Sequence, residues 1–298
     1  MTEDVRDLPE LDGIQHRFLD LPGMRMHAAE TGSGEAVVLL HGFPQHWWAW
    51  RGVIPRLAKR YRVIVPDLRG AGWSGAPPNG YTPEQLLEDV VQVLDALQLE
   101  RVRIVAHDWS AIVAFTLALT RPDRVQALVA IGVPHPWVRF SPAMIPLLPG
   151  LWFQTAISAP GLGARLLGRG RQRLTRYLFS HFAVRPDVWS EADLETFLAP
   201  MREPGRARAG SLLYRQMISP SFRAIMAGRF RSMRLTVPTL IAYGAQDAAM
   251  QPAMLAGYEP YADDLELLSI PDGGHFVVDE QPEAVADAVS DFFARQSR

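Results

Sequence analysis

Short apolar runs rich in β-branched residues alternate with longer stretches whose apolar positions recur every three or four residues, and this alternation fills most of the 298-residue chain. The first pattern suits buried strands and the second amphipathic helices. Residues 15–20 and 24–29 alternate about Pro22-Gly23 and read as a hairpin. Strand-like runs follow at 36–40 and 61–65, with 47–59 between them reading as helix. Thr82 as N-cap and Pro83 at the first helical position start a helix that runs to about residue 97. Next come a strand at 102–105, an alanine-rich helix from Trp109 that stops before Pro122, and a strand at 125–131. Two more strands, 237–243 and 265–270, precede a closing helix at 283–295. Strands alternating with helices predict an α/β protein: a mostly parallel, eight-stranded sheet covered by helices on both faces. From 134 to 233 no strand-like run occurs, Pro and Gly break the pattern, and helical stretches lie near Trp152 and over 174–182, 191–198 and 207–217. The chain therefore divides into a core segment 1–133, a helical cap insertion 134–233 and a second core segment 234–298.

The junction of the 102–105 strand with the following helix carries the first candidate chemistry. Asp108 falls at the turn, with small residues, Ala106 and Ser110, two places to either side. A nucleophile elbow requires such a pattern: the turn is sharp, its flanks must be small, and the middle side chain is pushed out beyond the strand. The helix N-terminus behind it favours an anion. Centring the elbow on Ser110 instead would put Asp108 and β-branched Ile112 at the small positions. A plain alternative is Asp108 as an ordinary N-cap.

Composition narrows the class. The chain is 48% hydrophobic with a net charge of −2, ordinary for a soluble globular protein. With no cysteine, disulfides, thiolate metal sites and a thiol nucleophile are excluded. The first ten residues are acidic and polar, unlike a secretory signal, so a cytoplasmic protein is expected, and no apolar run approaches the ~20 residues of a membrane span. Charge is unevenly placed: between Arg165 and Arg234 stand 14 Arg and no Lys against 5 Asp plus Glu, near +9, which leaves the remainder near −11. A basic insertion docked on an acidic core is the simplest reading; a membrane-surface or anionic-substrate role is the alternative. Nucleic acid is not an expected partner, since no recognition motif accompanies the charge. No spacing suggests a metal site.

Two further residues sit just after strands, where open α/β sheets bind ligands. Asp247 follows one strand in Gly244-Ala245-Gln246-Asp247, and His275 follows the last in Gly273-Gly274-His275-Phe276. Nucleophile, acid and histidine thus occur in the chain order of α/β-hydrolases. With His41-Gly42-Phe43-Pro44, the run from Asp67 to Ser74 (DLRGAGWS) and His107-Asp108-Trp109, these motifs span most of the core, and the chain resembles an α/β-hydrolase-fold epoxide hydrolase of the soluble bacterial type. The resemblance implies the α/β-hydrolase fold, oxyanion-hole N–H groups from Phe43 and Trp109, a proline at Pro44 whose bond is often cis, and no cofactor. It implies an alkyl-enzyme ester on Asp108, hydrolysed by water that His275 activates while Asp247 orients the ring. Tyr214, in Ser211-Leu212-Leu213-Tyr214-Arg215, matches a cap tyrosine that protonates the opening epoxide; a half-buried helix tyrosine is the alternative.

The chain departs from the family near residues 147–154, where a first cap tyrosine is expected and none stands. Trp152 and Phe153 are there instead and are expected, with Pro44 and Phe276, to shape the pocket; Trp152, Tyr177 and His181 are the other possible donors. His41, Asp67, Arg69 and His107 are expected to brace their loops, and Trp47, Trp48 and Trp50 to bury. Haloalkane dehalogenases share the Asp–His–Asp logic but hold halide with a second side-chain donor, where Phe43 has none. Ester or lactone hydrolysis and a non-catalytic binding protein on this fold are the remaining alternatives. Expected partners are a small apolar epoxide and water, with the protein a monomer or homodimer and not stably inserted in a membrane.

Overall fold

In a computed structural model, the structure describes residues 8–248 and 250–296. Eight strands form one sheet: β1 (Gln15–Leu21), β2 (Met24–Thr31), β3 (Ala36–Leu40), β4 (Arg62–Pro66), β5 (Val102–His107), β6 (Val125–Ile131), β7 (Thr239–Gly244) and β8 (Leu265–Ile270). Their order is β1-β2-β4-β3-β5-β6-β7-β8. The β1–β2 and β2–β4 pairs are antiparallel and all others parallel. This is the α/β-hydrolase architecture expected from the alternation of strand and helix. The central strands β3 and β5 are apolar because both faces are covered. One face packs Val38, Leu40, Ile104 and Ala106 beneath the Pro83–Ala96 and Trp109–Thr120 helices. The other packs Val37, Leu39, Val105 and Val129 against Trp47, Trp50 and the closing helix Pro282–Arg295. At ~1.5–3 kcal/mol for each large apolar side chain removed from water, these two layers hold the sheet rigid beneath its C-terminal edge.

Local signals account for the elements. Thr82 Oγ1 accepts the Gln85 N–H at 3.4 Å, with Pro83 at the helix start. The 47–59 stretch is not one helix: a 3₁₀ turn covers Trp47–Trp50 and a single α-turn Ile54–Leu57. Gly52 disfavours continuation and Pro55 is comfortable only in a first turn. Trp47 and Trp50 are buried as expected, while Trp48 is half-buried and its indole donates to Asp193 at 2.9 Å.

Between β6 and β7 the described residues form helices and no named strand. The stretch near Trp152 is helical over Trp152–Ser158, and Arg173–Phe182 and Glu191–Met201 meet expectation. The helix Leu162–Gly168 and the 3₁₀ turns of Pro142–Leu151 are additions, the latter because Pro146 and Pro149 interrupt a long helix. The 207–217 stretch divides into an α-helix Pro204–Leu213, a π-turn Tyr214–Ile218 and a second α-helix Ser219–Met226. Pro220 causes the division. It has no N–H for the carbonyl four residues back, and the preceding turn widens so that the Ser219 N–H reaches the Tyr214 carbonyl.

Candidate active site

The C-terminal ends of β3, β5, β7 and β8 converge on one place. Leaving β5, the chain turns through Asp108 at φ 56°, ψ −140°, a conformation that costs a non-glycine residue on the order of 1–3 kcal/mol. The turn is held by the Asp108 N–H donating to the Ile131 carbonyl of β6 and the Ala111 N–H donating to the Asp108 carbonyl. Asp108 makes no side-chain cap of its helix. Its Oδ2 accepts the Phe43 N–H at 2.9 Å instead, so it is not an ordinary N-cap. Ser110 is fully buried, and its hydroxyl is turned inward to the carbonyls of Leu40 and His107, which removes it as a nucleophile.

Gly42 lets the β3 loop approach. A Cβ there would stand 2.7 Å from the Asp108 Cβ, closer than real carbon contacts. The loop is braced by His41: the Leu68 N–H donates to His41 Nε2 at 2.9 Å, which fixes the tautomer and leaves Nδ1–H to donate to the Gly42 carbonyl. Asp67 accepts the N–H groups of Trp47 and Trp73, and Arg69 grips Asp89 through two bonds of 2.6 Å. The Phe43–Pro44 bond is cis. Trp109 opens the helix, where first-turn N–H groups lack partners within the helix, and its indole packs edge-on to His41 at 6.5 Å.

His275 Nδ1 donates to Asp247 Oδ2 at 3.0 Å, and its Nε2 stands 3.7 Å from Asp108 Oδ1, an ion-pair distance rather than a hydrogen bond. Burial opposes charge on the ring, but Asp247 and Asp108 outweigh it and hold His275 well above the ordinary histidine value. Burial likewise opposes the Asp108 carboxylate, and the hydrogen bonding and charge of His275 overcome it, so its pKa is lowered. Each group thus favours the charged form of the other. His107, pushed down to about 4 by burial and by His275, stays neutral and donates from Nε2 to the His275 carbonyl at 2.8 Å.

The histidine loop is also tied to the helical segment by Glu280, which sequence reasoning missed. Its Oε1 accepts the Val184 and Arg185 N–H groups at 2.6 and 2.8 Å, and its Oε2 accepts the Gly274 N–H at 2.7 Å. The His275 N–H itself donates to the Phe182 carbonyl at 3.1 Å. Leaving the buried Gly274 donor unmatched costs about 1–3 kcal/mol, and the two part-buried donors, which water can reach, cost less. Glu280→Ala is expected to lower the unfolding midpoint in thermal denaturation by about 2–10 °C and to slow turnover by freeing His275. An unchanged midpoint would remove the clamp.

Above Asp108 and His275 lies a cavity of about 230 Å³. Its walls are apolar side chains such as Val138, Met144, Phe153, Leu178 and Ile225, interrupted by Asp108, His275, Tyr214, His135 and Gln154. Tyr214 is buried at the start of the π-turn, its ring edge-on to Phe43 at 5.1 Å and to Phe153 at 6.1 Å. Burial and the Asp108 charge raise its pKa well above that of free tyrosine, so the phenol keeps its proton. Phe153 and Phe276 line the cavity as expected, but Pro44 and Trp152 do not. Pro44 faces a smaller cleft beside Arg69 and Met201. Trp152 is 51% exposed: successive helix positions point about 100° apart, so with Phe153 inward its neighbour faces out.

An α/β-hydrolase-fold family model matches residues 35–282. The soluble epoxide hydrolase of Corynebacterium sp. strain C12 is 30% identical over 94% of this chain and 98% of its own. The chain belongs to the α/β-hydrolase-fold epoxide hydrolase family. Among solved structures, Cfl2 from Burkholderia cenocepacia is 32% identical with a TM-score of 0.84, covering 97% of this chain and 98% of that one. The epoxide hydrolase VrEH1 of Vigna radiata is 25% identical with a TM-score of 0.78, covering 97% and 100%. The protein is therefore a hydrolase-family member whose turn after β5 holds an aspartate, Asp108.

Gln154 and His135 were not singled out by sequence. His135 is committed to structure, bonding the Ala256 carbonyl and the Trp137 N–H. Gln154 reaches the cavity from the segment where a first cap tyrosine is missing. Tyr177 and His181 stack on each other at 4.7 Å and are not among the cavity-lining residues.

Proposed function

We propose that the protein hydrolyses apolar epoxides to vicinal diols through an ester on Asp108, with residues 134–233 acting as the cap. The carrying observation is a carboxylate at the elbow, facing an apolar cavity that also holds one protonated phenol and an imidazole. A saturated epoxide carbon can be displaced by a carboxylate. An Asp108 oxygen forms the C–O bond, the ring C–O bond breaks, and the alkoxide takes the Tyr214 proton.

Forming the ester removes the negative charge of Asp108. One of the influences holding His275 above its ordinary pKa then disappears, and the ring releases its proton more readily, to the phenolate left on Tyr214, which restores the phenol. In this reading alkylation arms the base. Neutral His275, oriented by Asp247, takes a proton from water as it attacks the Asp108 carbonyl carbon. The Phe43 and Trp109 N–H groups stabilise the oxyanion, a contribution typically worth about 2.7–4 kcal/mol per donor. Collapse expels the diol with a proton from His275, and the regenerated Asp108 acid returns its proton to the ring, which closes the cycle.

Halide displacement is less well supported. Phe43 offers no side-chain donor, and Trp109 is not among the residues lining the cavity. Purified protein is expected to consume a chromogenic epoxide and to release no bromide from a bromoalkane above background. Bromide release with the epoxide untouched would overturn the assignment.

A further inference from the structure

The outer surface of the cap combines two features that the active site does not use. Of the eight exposed large hydrophobic residues among those described, six lie between 134 and 233, including Phe140 at 59%, Ile145 at 53%, Trp152 at 51% and Leu162 at 49%. The same segment carries the positive charge, and much of it is unneutralised. Arg165, Arg169, Arg171 and Arg173 are exposed and have no carboxylate partner among the described residues. Soluble proteins seldom concentrate exposed apolar side chains without using them.

The helices Trp152–Ser158, Leu162–Gly168 and Arg173–Phe182, which carry Trp152, Leu162 and two of these arginines, pack one on the next. The Trp152 ring lies 5.6 Å from that of Tyr177, and Arg173 stands four residues before Tyr177 on the same helix, hence on the same face. Arg165 follows Leu162 by three residues on the neighbouring helix, again on one face. Arg169 and Arg171 occupy the turn between those helices. Leu151 and Phe153, either side of Trp152, line the cavity, so the patch is the outer side of the cavity wall.

We infer that this cap face docks reversibly on an anionic lipid surface, the arginines supplying electrostatic attraction and Trp152 with its apolar neighbours entering the interface. Charge complementarity selects this occupant: the cap is near +9 while the rest of the chain is near −11, so the cap and not the core is drawn to an anionic bilayer, and within the cap the exposed arginines beside Trp152 combine charge with an apolar anchor. Docking presents the cavity wall to the lipid phase. Resting on the epoxide reading, the substrates would be apolar epoxides dissolved in or derived from membrane lipid.

Sedimentation of the full chain with vesicles tests this. Binding is expected to vesicles containing about one-third phosphatidylglycerol, with little to pure phosphatidylcholine, and to fall on the order of 10-fold or more when salt rises to about 0.5 M. The double variant Arg171→Glu, Arg173→Glu is expected to lose on the order of 10-fold or more in affinity. Trp152→Ser, folded by circular dichroism, should weaken binding too. Asp108→Asn should bind like the native chain, which separates this proposal from the catalytic one. No sedimentation with anionic vesicles, equal binding to both vesicle types, or unchanged binding of the charge-reversed and Trp152 variants would each overturn the proposal.

Discussion

Replacing His275 with glutamine is expected to stop turnover after one chemical step and leave the protein alkylated. The first step needs the Asp108 carboxylate, which loses the His275 contribution that offsets its burial but keeps the Phe43 hydrogen bond, so alkylation is expected to persist at a reduced rate. The second step needs a base 3–4 Å away, and the glutamine amide does not accept a proton from water. Intact-protein mass spectrometry after mixing with epoxide should show a mass increase equal to the substrate, located by peptide mapping at Asp108. Steady-state turnover should fall by several orders of magnitude. A variant that turns over at near-native rate, or shows no adduct while substrate is consumed, would separate His275 from ester hydrolysis.

Replacing Tyr214 with phenylalanine should slow alkylation on the order of 10²-fold or more, the usual contribution of a positioned general acid. The change removes one hydroxyl and almost no volume, and the ring keeps its edge-on packing with Phe43 and Phe153. Stability should therefore stay within about 0.5 kcal/mol of the native chain, typical of a substitution that disturbs no packing. Gln154 is the other uncharged side-chain donor in the cavity with a hydrogen to offer the developing alkoxide, but an amide offers a hydrogen bond and no transferable proton. Single-turnover kinetics decides. An unchanged alkylation rate would make Tyr214 a packing residue and leave protonation to solvent.

Much of this arrangement is legible in the sequence because each decisive position is local. The β-branched runs of β3, β5 and β6 mark buried parallel strands, and the small residues Ala106 and Ser110 mark the sharp turn that exposes Asp108. The order of Asp108, Asp247 and His275, after β5, β7 and β8, needs only the count of strands. What escaped is what depends on distant partners or on which face of a turn points inward. Glu280 reads as a solvent-facing helix residue until the cap backbone at Val184 and Arg185 meets it. Trp152 and Phe153 are chemically alike in sequence, and only the phase of the short helix puts one in the cavity and the other outside. The π-turn that carries Tyr214 had one local sign, Pro220, whose missing N–H forces the wider turn. The 47–59 stretch reads as one helix in sequence, but Gly52 and Pro55 divide it into a 3₁₀ turn and a single α-turn.

The central claim is the covalent ester on Asp108, and a single turnover in ¹⁸O-water with enzyme in excess tests it most directly. If Asp108 attacks the epoxide, the oxygen delivered to the diol comes from its carboxylate, and solvent oxygen enters that carboxylate only as the ester is hydrolysed. The expected result is an essentially unlabelled diol and ¹⁸O in the peptide carrying Asp108, with labelled diol emerging over further turnovers. Labelled diol in the first turnover, with no label in that peptide, would mean that water attacks the epoxide directly and would contradict the account.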